Sequence, residues 1–202
     1  MSWLGKIFRS NRRKEVLPTT EQLEQALSQE KQRKRFRDAL RSTIFVLATV
    51  AAASILASTL LFPVLRIHGA SMKPTLDDGE IVVALKVREF QTGDVIAFYY
   101  NNKVLIKRVI CGPGDWVNLM EDGTVYVNGT ALDEPYVSDL CFGECDIELP
   151  YQVPADQYFV MGDHRETSID SRSTAVGCIS KDQVVGRILF RVWPFSELGA
   201  VD

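Results

Sequence analysis

The sequence is poor in the residues that build metal sites and disulfide frameworks. It contains four Cys and two His in 202 residues, and their spacing matches neither a disulfide scaffold nor a zinc site. It has no Walker A motif, no GxGxxG fingerprint and no GxSxG elbow, so the phosphate-binding loops and the hydrolase turn of those motifs are excluded. No stretch repeats at a fixed period. We therefore expect neither a metal nor a cofactor.

The composition is that of a folded chain. At 22.7 kDa, with 46% hydrophobic and 24% charged residues, the chain matches one ordinary domain, alone or joined to a membrane segment. Its net charge of −3 hides an asymmetry, because residues 1–41 hold 11 basic and 5 acidic residues while residues 42–202 hold 12 and 21. The acidic majority argues against nucleic acid as a partner. A basic head followed by an acidic body indicates a membrane between them.

An uncharged run of 24 residues, Ser42–Leu65, supplies the predicted membrane segment. As a helix it would measure about 36 Å, enough to cross a hydrocarbon core of about 30 Å. The alternative, a buried core helix, rarely runs this long without a polar face. A head of 41 residues is too long for a cleavable signal peptide, and basic residues crowd the end of that head. The pattern predicts a cytoplasmic head (1–41), a single-pass signal anchor in the cell membrane (42–65) and an extracytoplasmic domain (66–202).

The head itself divides into two parts. Apolar residues at positions 3, 4, 7 and 8 fit one face of a short interfacial helix, although a floppy basic tail fits them equally well. Thr19 to Gln22 then reads as a capping box, which predicts the start of a helix.

The outer region is rich in β-branched and aromatic runs separated by turn residues such as Asn-Gly and Asp-Gly. We predict a mostly β fold: one N-terminal transmembrane helix, then an antiparallel, β-rich, partly barrel-like domain. Its expected strands are Gly79–Leu85, Asp94–Tyr100, Val104–Ile110, Thr124–Gly129, Gln157–Met161 and Gly186–Trp193.

Three segments carry candidate chemistry. The first, GASMKPTL, places Ser71 just after the membrane segment, although a lone Ser in such a turn is usually only a turn residue. The second, VLIKRVI, places Lys107 in a strand that is apolar on both faces. A desolvated lysine titrates below its usual pKa and can act as a base, whereas an edge-strand lysine would reach water. The third, MGDHRETSIDSR (161–172), can orient a base through charge-assisted bonds, or it is a solvated loop.

Together, these segments resemble the bacterial type I signal peptidases, which are membrane-anchored serine proteases with a Ser–Lys dyad. The stretches GASMKPTL, GDVIAF, IKRVICGPGD and MGDHRETSIDSR stand in the family's order behind an N-terminal anchor. The resemblance implies that Ser71 is the nucleophile and Lys107 the general base. It further implies that Ser168 hydrogen-bonds the lysine amine, with Asp170 in support. Where some members have Ser or Thr as an oxyanion donor, this chain has Gly69, which leaves the Ser71 N–H as the identifiable donor.

The resemblance also implies the reaction and the partners. Signal peptides of preproteins would bind as an added strand and be cleaved after Ala-x-Ala through an acyl-enzyme. The other expected partners are the lipid bilayer and the nearby export translocon, and no nucleic acid is expected to bind. The positions that correspond to the two shallow apolar pockets are Leu65, Ile67, Met72, Leu76 and Ile106.

Several alternatives remain open at this point. A self-cleaving repressor-type Ser–Lys protease shares the β-rich core but not the membrane segment, and a non-enzymatic β-domain would lack a reactive serine. His164 with Asp170 could form a serine triad, and Lys73 lies close to Ser71. In the Cys-x-x-x-Cys loop we expect Cys141 and Cys145 to form a disulfide under oxidising conditions. Cys111 and Cys178 are expected to be buried small hydrophobes.

Overall fold

The computed structural model describes residues 19–201. The interfacial helix expected near position 3 lies outside the described residues. The chain divides into two compact units, Met1–Ile55 and Leu56–Asp202.

Helix α1 spans Thr20–Leu61 and is, within residues 19–201, the one helix long and apolar enough to cross a membrane. Its start confirms the predicted position, because the Gln22 side chain accepts the Thr19 N–H at 3.2 Å, half of a capping box. The helix ends at Leu61, four residues before the end of the apolar run. Pro63 has no N–H and disfavours helical geometry in the residue before it. Val64 and Leu65, predicted to lie in the membrane helix, instead belong to a strand.

The second unit is built from strands. In chain order they are β1 Val64–Arg66, β2 Ile81–Leu85, β3 Val95–Tyr100, β4 Lys103–Cys111, β5 Trp116–Leu119, β6 Val125–Val127, β7 Thr130–Ala131, β8 Tyr151–Gln152, β9 Gln157–Met161, β10 Ile179–Ser180, β11 Val184–Trp193 and β12 Gly199–Ala200. All six predicted strands are confirmed, as β2, β3, β4, β6, β9 and β11. The strands that sequence reasoning missed have two to four residues, too few for a periodic pattern to stand out.

The strands form two antiparallel sheets, which confirms the mostly β fold class. The large sheet has the order β1-β2-β11-β3-β4-β9-β10, with β12 also paired to β11, and the small sheet has the order β7-β6-β5-β8. In the described residues the large sheet is open, since β1 and β10 are its two ends.

Strand β4 lies between β3 and β9 in the large sheet and carries Lys107. It pairs with β3 along Lys103–Arg108 and with β9 along Arg108–Cys111. Its first half therefore has no β9 partner and borders open space, while its second half is buried on both sides. Lys107 lies at this transition.

Candidate active site

The turn that carries Ser71 is held by backbone hydrogen bonds on both sides. The N–H of Lys73 donates to the carbonyl of Ala70 at 3.2 Å, and the N–H of His164 donates to the carbonyl of Ser71 at 3.1 Å. The second bond ties the nucleophile's turn to the loop that follows β9. Two segments that are more than 90 residues apart in the chain therefore meet at Ser71.

Lys107 reaches Ser71 from strand β4. Its amine donates to the Ser71 hydroxyl, with 2.7 Å between Nζ and Oγ. The lysine is 3% exposed, and this burial lowers the pKa of its ammonium from 10.5 to about 8. The charges of Asp170 and Asp163 oppose the lowering of the pKa, and Arg172 adds to it. A lysine with a pKa of about 8 is partly neutral near neutral pH.

Asp170 lies in a buried network close to the lysine. Its carboxylate accepts hydrogen bonds from Arg172 Nε at 2.9 Å and from the Gly162 N–H at 3.0 Å. Burial raises the pKa of Asp170, but the hydrogen bonds and charge of Arg172 and the Gly162 N–H outweigh it and hold the pKa below its ordinary value. Asp170 is therefore an anion that supports the site through Arg172 and the backbone.

Ser168 is placed as predicted but does not make the predicted bond. It is 4% exposed, and no hydrogen bond joins its Oγ to the Lys107 amine. The amine donates to Ser71 Oγ, and the expected hydrogen bond from Ser168 is not formed in this structure. The Ser168 hydroxyl instead lies directly over the backbone of Gly162.

Gly162 allows these segments to approach closely. A Cβ at this position would overlap the Ser168 side chain and the Ser71 carbonyl oxygen. Only a glycine leaves room for the nucleophile's turn, the end of β9 and Ser168 to pack together.

A small cleft of about 90 Å³ opens beside the Ser–Lys pair. Four of the five predicted pocket residues line it with Ser71 and Lys107; they are Leu65, Ile67, Met72 and Ile106. Leu76 does not line the cleft; it is fully buried in the core cluster that also contains Ile67 and Met72. The N–H of Leu76 bonds to the Met72 carbonyl at 2.9 Å, and this turn directs the leucine inward.

Comparisons with known proteins identify the family of the chain. The family model described as signal peptidase, peptidase S26, matches residues 39–193. The chain belongs to this family. It is 43% identical over 151 residues to signal peptidase IB of Staphylococcus aureus (strain COL), covering 65% of this chain and 78% of that protein. It is 37% identical over 165 residues to signal peptidase I of Bacillus licheniformis, covering 74% and 86%.

A solved structure is also similar in sequence. The crystal structure of a signal peptidase I from Enterococcus faecalis V583 is 30% identical, with 50% of this chain and 98% of that chain covered and a TM-score of 0.41. Membership of the signal peptidase family makes the chain a serine endopeptidase. The apolar helix α1 is consistent with the membrane anchor expected for it.

Neither alternative base contacts Ser71 Oγ. The His164 ring lies 2.5 Å from Thr167 Oγ1 through Nδ1. Lys73 is half exposed, and its amine pairs with Asp77 at 2.8 Å. The hydrogen bond and charge of Asp77 raise the pKa of Lys73, so this amine stays protonated where Lys107 begins to lose its proton.

The cysteines follow the sequence expectations only in part. Cys141 and Cys145 are free thiols, so the predicted bridge between them is not formed in this structure. Their loop is held by other contacts, since Arg172 donates to the Phe142 carbonyl at 2.8 Å and Gly143 packs against the same guanidinium. Cys111 is buried as expected, and burial raises the pKa of its thiol to about 12.

The resemblance gave Asp163 a structural position in the third segment, but sequence reasoning missed the partners that hold this segment in place. Asp163 receives two hydrogen bonds from Arg108, at 2.9 and 2.8 Å, and a third from Thr75. Glu134 pairs with the fully buried Arg165, and Tyr136 lies under the Arg108 guanidinium at 3.8 Å. The sequence does single out Arg108, because it is a second cation, beside Lys107, in an otherwise apolar strand. Glu134 and Tyr136 gave none, because their partners are distant in sequence.

Proposed function

We propose that this enzyme removes N-terminal signal peptides from exported preproteins, with Ser71 as nucleophile and Lys107 as general base. The observation that carries the proposal is the 2.7 Å distance between Lys107 Nζ and Ser71 Oγ. The lysine's burial and its pKa of about 8 support the same role. An unactivated serine is a weak nucleophile at neutral pH and needs such a base.

The proposed reaction has two halves. Neutral Lys107 takes the Ser71 hydroxyl proton as Oγ attacks the scissile carbonyl, and the ammonium then gives that proton to the departing amine. The acyl-enzyme holds the signal peptide as an ester on Ser71. Lys107, neutral again, takes a proton from the water that attacks the ester. The ammonium then returns that proton to Ser71 Oγ as the C–O bond breaks, which releases the signal peptide and regenerates the free serine. One group thus serves as base and acid in both halves.

The backbone N–H of Ser71 is the proposed donor to the developing oxyanion. It donates to no other group in the described residues, so it is available for a substrate oxygen. Loss of one such donor typically costs about 2.7–4 kcal/mol in the barrier.

The cleft supports a preference for small residues. Its volume of about 90 Å³ and its apolar lining by Leu65, Ile67, Met72 and Ile106 fit methyl-sized side chains of an Ala-x-Ala sequence. The first half of β4 pairs with β3 on one edge and has no strand on the other, so that free edge can pair with an extended peptide. Larger side chains would be excluded sterically.

We further propose that α1 anchors the enzyme as a single-pass protein, with residues 1–41 in the cytoplasm and residues 66–202 outside. The uncharged part of α1 begins after a cluster of basic residues that ends at Arg41, and such clusters stay cytoplasmic. Preproteins held in the same bilayer near the translocon would reach the cleft at high effective concentration.

Cleavage of a synthetic signal peptide by the full chain in detergent tests the proposal. We expect hydrolysis after the second alanine of Ala-x-Ala and none in Ser71→Ala at equal folded concentration. Turnover by Ser71→Ala, or cleavage at unrelated sites only, would refute it.

A further inference from the structure

We propose that Asp78 is a positioning residue that orients the backbone leading into Ser71. This inference rests on the proposed function, since it assigns Asp78 to the same site. The Gly69 N–H donates to Asp78 Oδ1 at 2.8 Å across the loop that joins β1 to β2. Gly69 and Ser71 both line the cleft beside Lys107.

The loop is anchored firmly up to Ile67. The Ile67 N–H donates to the Glu80 carbonyl at 2.8 Å, and the Gly79 N–H donates to the Ile67 carbonyl at 3.0 Å. These two bonds continue the pairing of β1 with β2 by one residue. Asp78 immediately precedes Gly79, whose backbone is fixed by one of these bonds. The position of the Asp78 carboxylate relative to Gly69 is therefore well defined.

Between Ile67 and the turn that carries Ser71, residues 68 and 69 have little else to hold them. The His68 side chain is 77% exposed, and a Cβ at Gly69 would meet nothing within 4 Å. Gly69 has φ +94°, a conformation that favours glycine. In the described part of the chain, the bond to Asp78 is the one hydrogen bond that the Gly69 backbone makes. A flexible glycine two residues before the nucleophile is therefore restrained by a single carboxylate.

The consequence concerns the transition state. The Ser71 N–H is the proposed oxyanion donor and shares a peptide plane with the Ala70 carbonyl, which accepts the Lys73 N–H at 3.2 Å. The Asp78 bond restrains the peptide plane between His68 and Gly69, on the other side of this turn, so both bonds contribute to where the Ser71 N–H points. An interaction that forms only as the oxyanion develops affects kcat rather than KM. Loss of the Asp78 acceptor should therefore lower kcat while substrate binding in the apolar cleft is kept.

The test measures kcat and KM for an Ala-x-Ala signal peptide with the full chain in detergent. For Asp78→Ala we expect kcat to fall about tenfold, which corresponds to about 1.4 kcal/mol, with KM unchanged within about twofold. For Asp78→Asn, whose side-chain oxygen still accepts the Gly69 N–H, we expect most of kcat to return. Asp77→Ala is the matched control, because it removes the same charge from the same loop without touching Gly69.

Four outcomes would overturn the inference. They are full kcat in Asp78→Ala, an equal loss in Asp77→Ala, failure of Asp78→Asn to restore kcat, and a tenfold loss in His68→Ala, since His68 Nδ1 lies 3.9 Å from the same carboxylate. Thermal unfolding of each variant separates loss of fold from loss of rate. If the alanine variant unfolds, Asp78→Asn still tests the inference, because Asp78 is exposed and the substitution is small. Turnover by Ser71→Ala would instead refute the proposed function itself.

Discussion

Lys107 combines two properties that conflict in an ordinary protein interior: it is buried, and it carries a cationic group. Burial penalises the ammonium, so its pKa falls to about 8. The same penalty that makes the amine a base makes the residue costly to the fold. Both consequences can be measured.

The first consequence is the pH dependence of turnover. Since only the neutral amine can take the Ser71 proton, we expect kcat/KM, which reports the free enzyme, to rise through pH about 8 and to be about a hundredfold lower at pH 6 than at its plateau. Steady-state rates from pH 6 to 10 with a signal peptide check this. A profile that is already flat above pH about 7 would contradict a lysine base with this pKa.

The second consequence is stability. The folded-state pKa of Lys107 lies below its ordinary 10.5, so the folded state is disfavoured fully below pH 8, and this penalty fades as the pH rises toward 10.5. Lys107→Met keeps the volume and removes the charge. We expect it to raise the free energy of unfolding at pH 7 by about 1–3 kcal/mol. Denaturant unfolding of both proteins at pH 7 and pH 10 tests this expectation. A lower free energy of unfolding for Lys107→Met at pH 7, or an equal increase at both pH values, would contradict it.

Where β9 passes into the loop that follows it, the backbone of Gly162 lies close to the Ser71 carbonyl and to Ser168. Gly162→Ala would force its Cβ into Ser168 and the Ser71 carbonyl, so we expect loss of at least about 2 kcal/mol of stability and of nearly all turnover. Gly112→Ala is the matched control, because its Cβ would have only ordinary contacts at 3.7 Å or more. Unfolding and cleavage assays on both variants test this. Equal behaviour of the two would show that the approach at Gly162 is not needed.

The strands were predictable where they were long, and their pairing was not. Runs such as VLIKRVI hold four β-branched residues in seven, a density that local propensity detects. Strand β1 escaped because Val64 and Leu65 continue an apolar run that also suits a membrane helix. The helix ends before Pro63, and the residues after it form a strand because they pair with β2. Such pairing is a long-range property that no local sequence pattern contains.

The candidate site was predictable in part for the same reason. Ser71 and Lys107 were identified through the resemblance of their segments, whereas composition alone left each with an ordinary structural role. Leu76 was assigned to the cleft from its position in a motif, but the turn after Ser71 rotates it into the core. The bond between Asp78 and Gly69 depends on how the loop closes. It therefore had no signal in the sequence.

For the whole molecule, the account predicts a defined orientation in the membrane. With intact protoplasts of cells that make the full chain, we expect added protease to degrade residues 66–202 and to leave a protected fragment that contains residues 1–41 and the apolar part of α1. Immunoblots with tags at either end report the outcome. Protection of a C-terminal tag in intact protoplasts, with degradation after lysis, would reverse the proposed topology.

The identity of the base is the central claim, and one side-by-side assay tests it most directly. Lys107→Ala, His164→Asn and Lys73→Ala are compared with the unaltered full chain for signal-peptide cleavage at equal folded concentration. The account predicts no detectable turnover in Lys107→Ala, nearly full activity in His164→Asn, whose ring bonds Thr167, and little loss in Lys73→Ala, whose amine pairs with Asp77. Substantial activity in Lys107→Ala, or complete loss in His164→Asn, would contradict it.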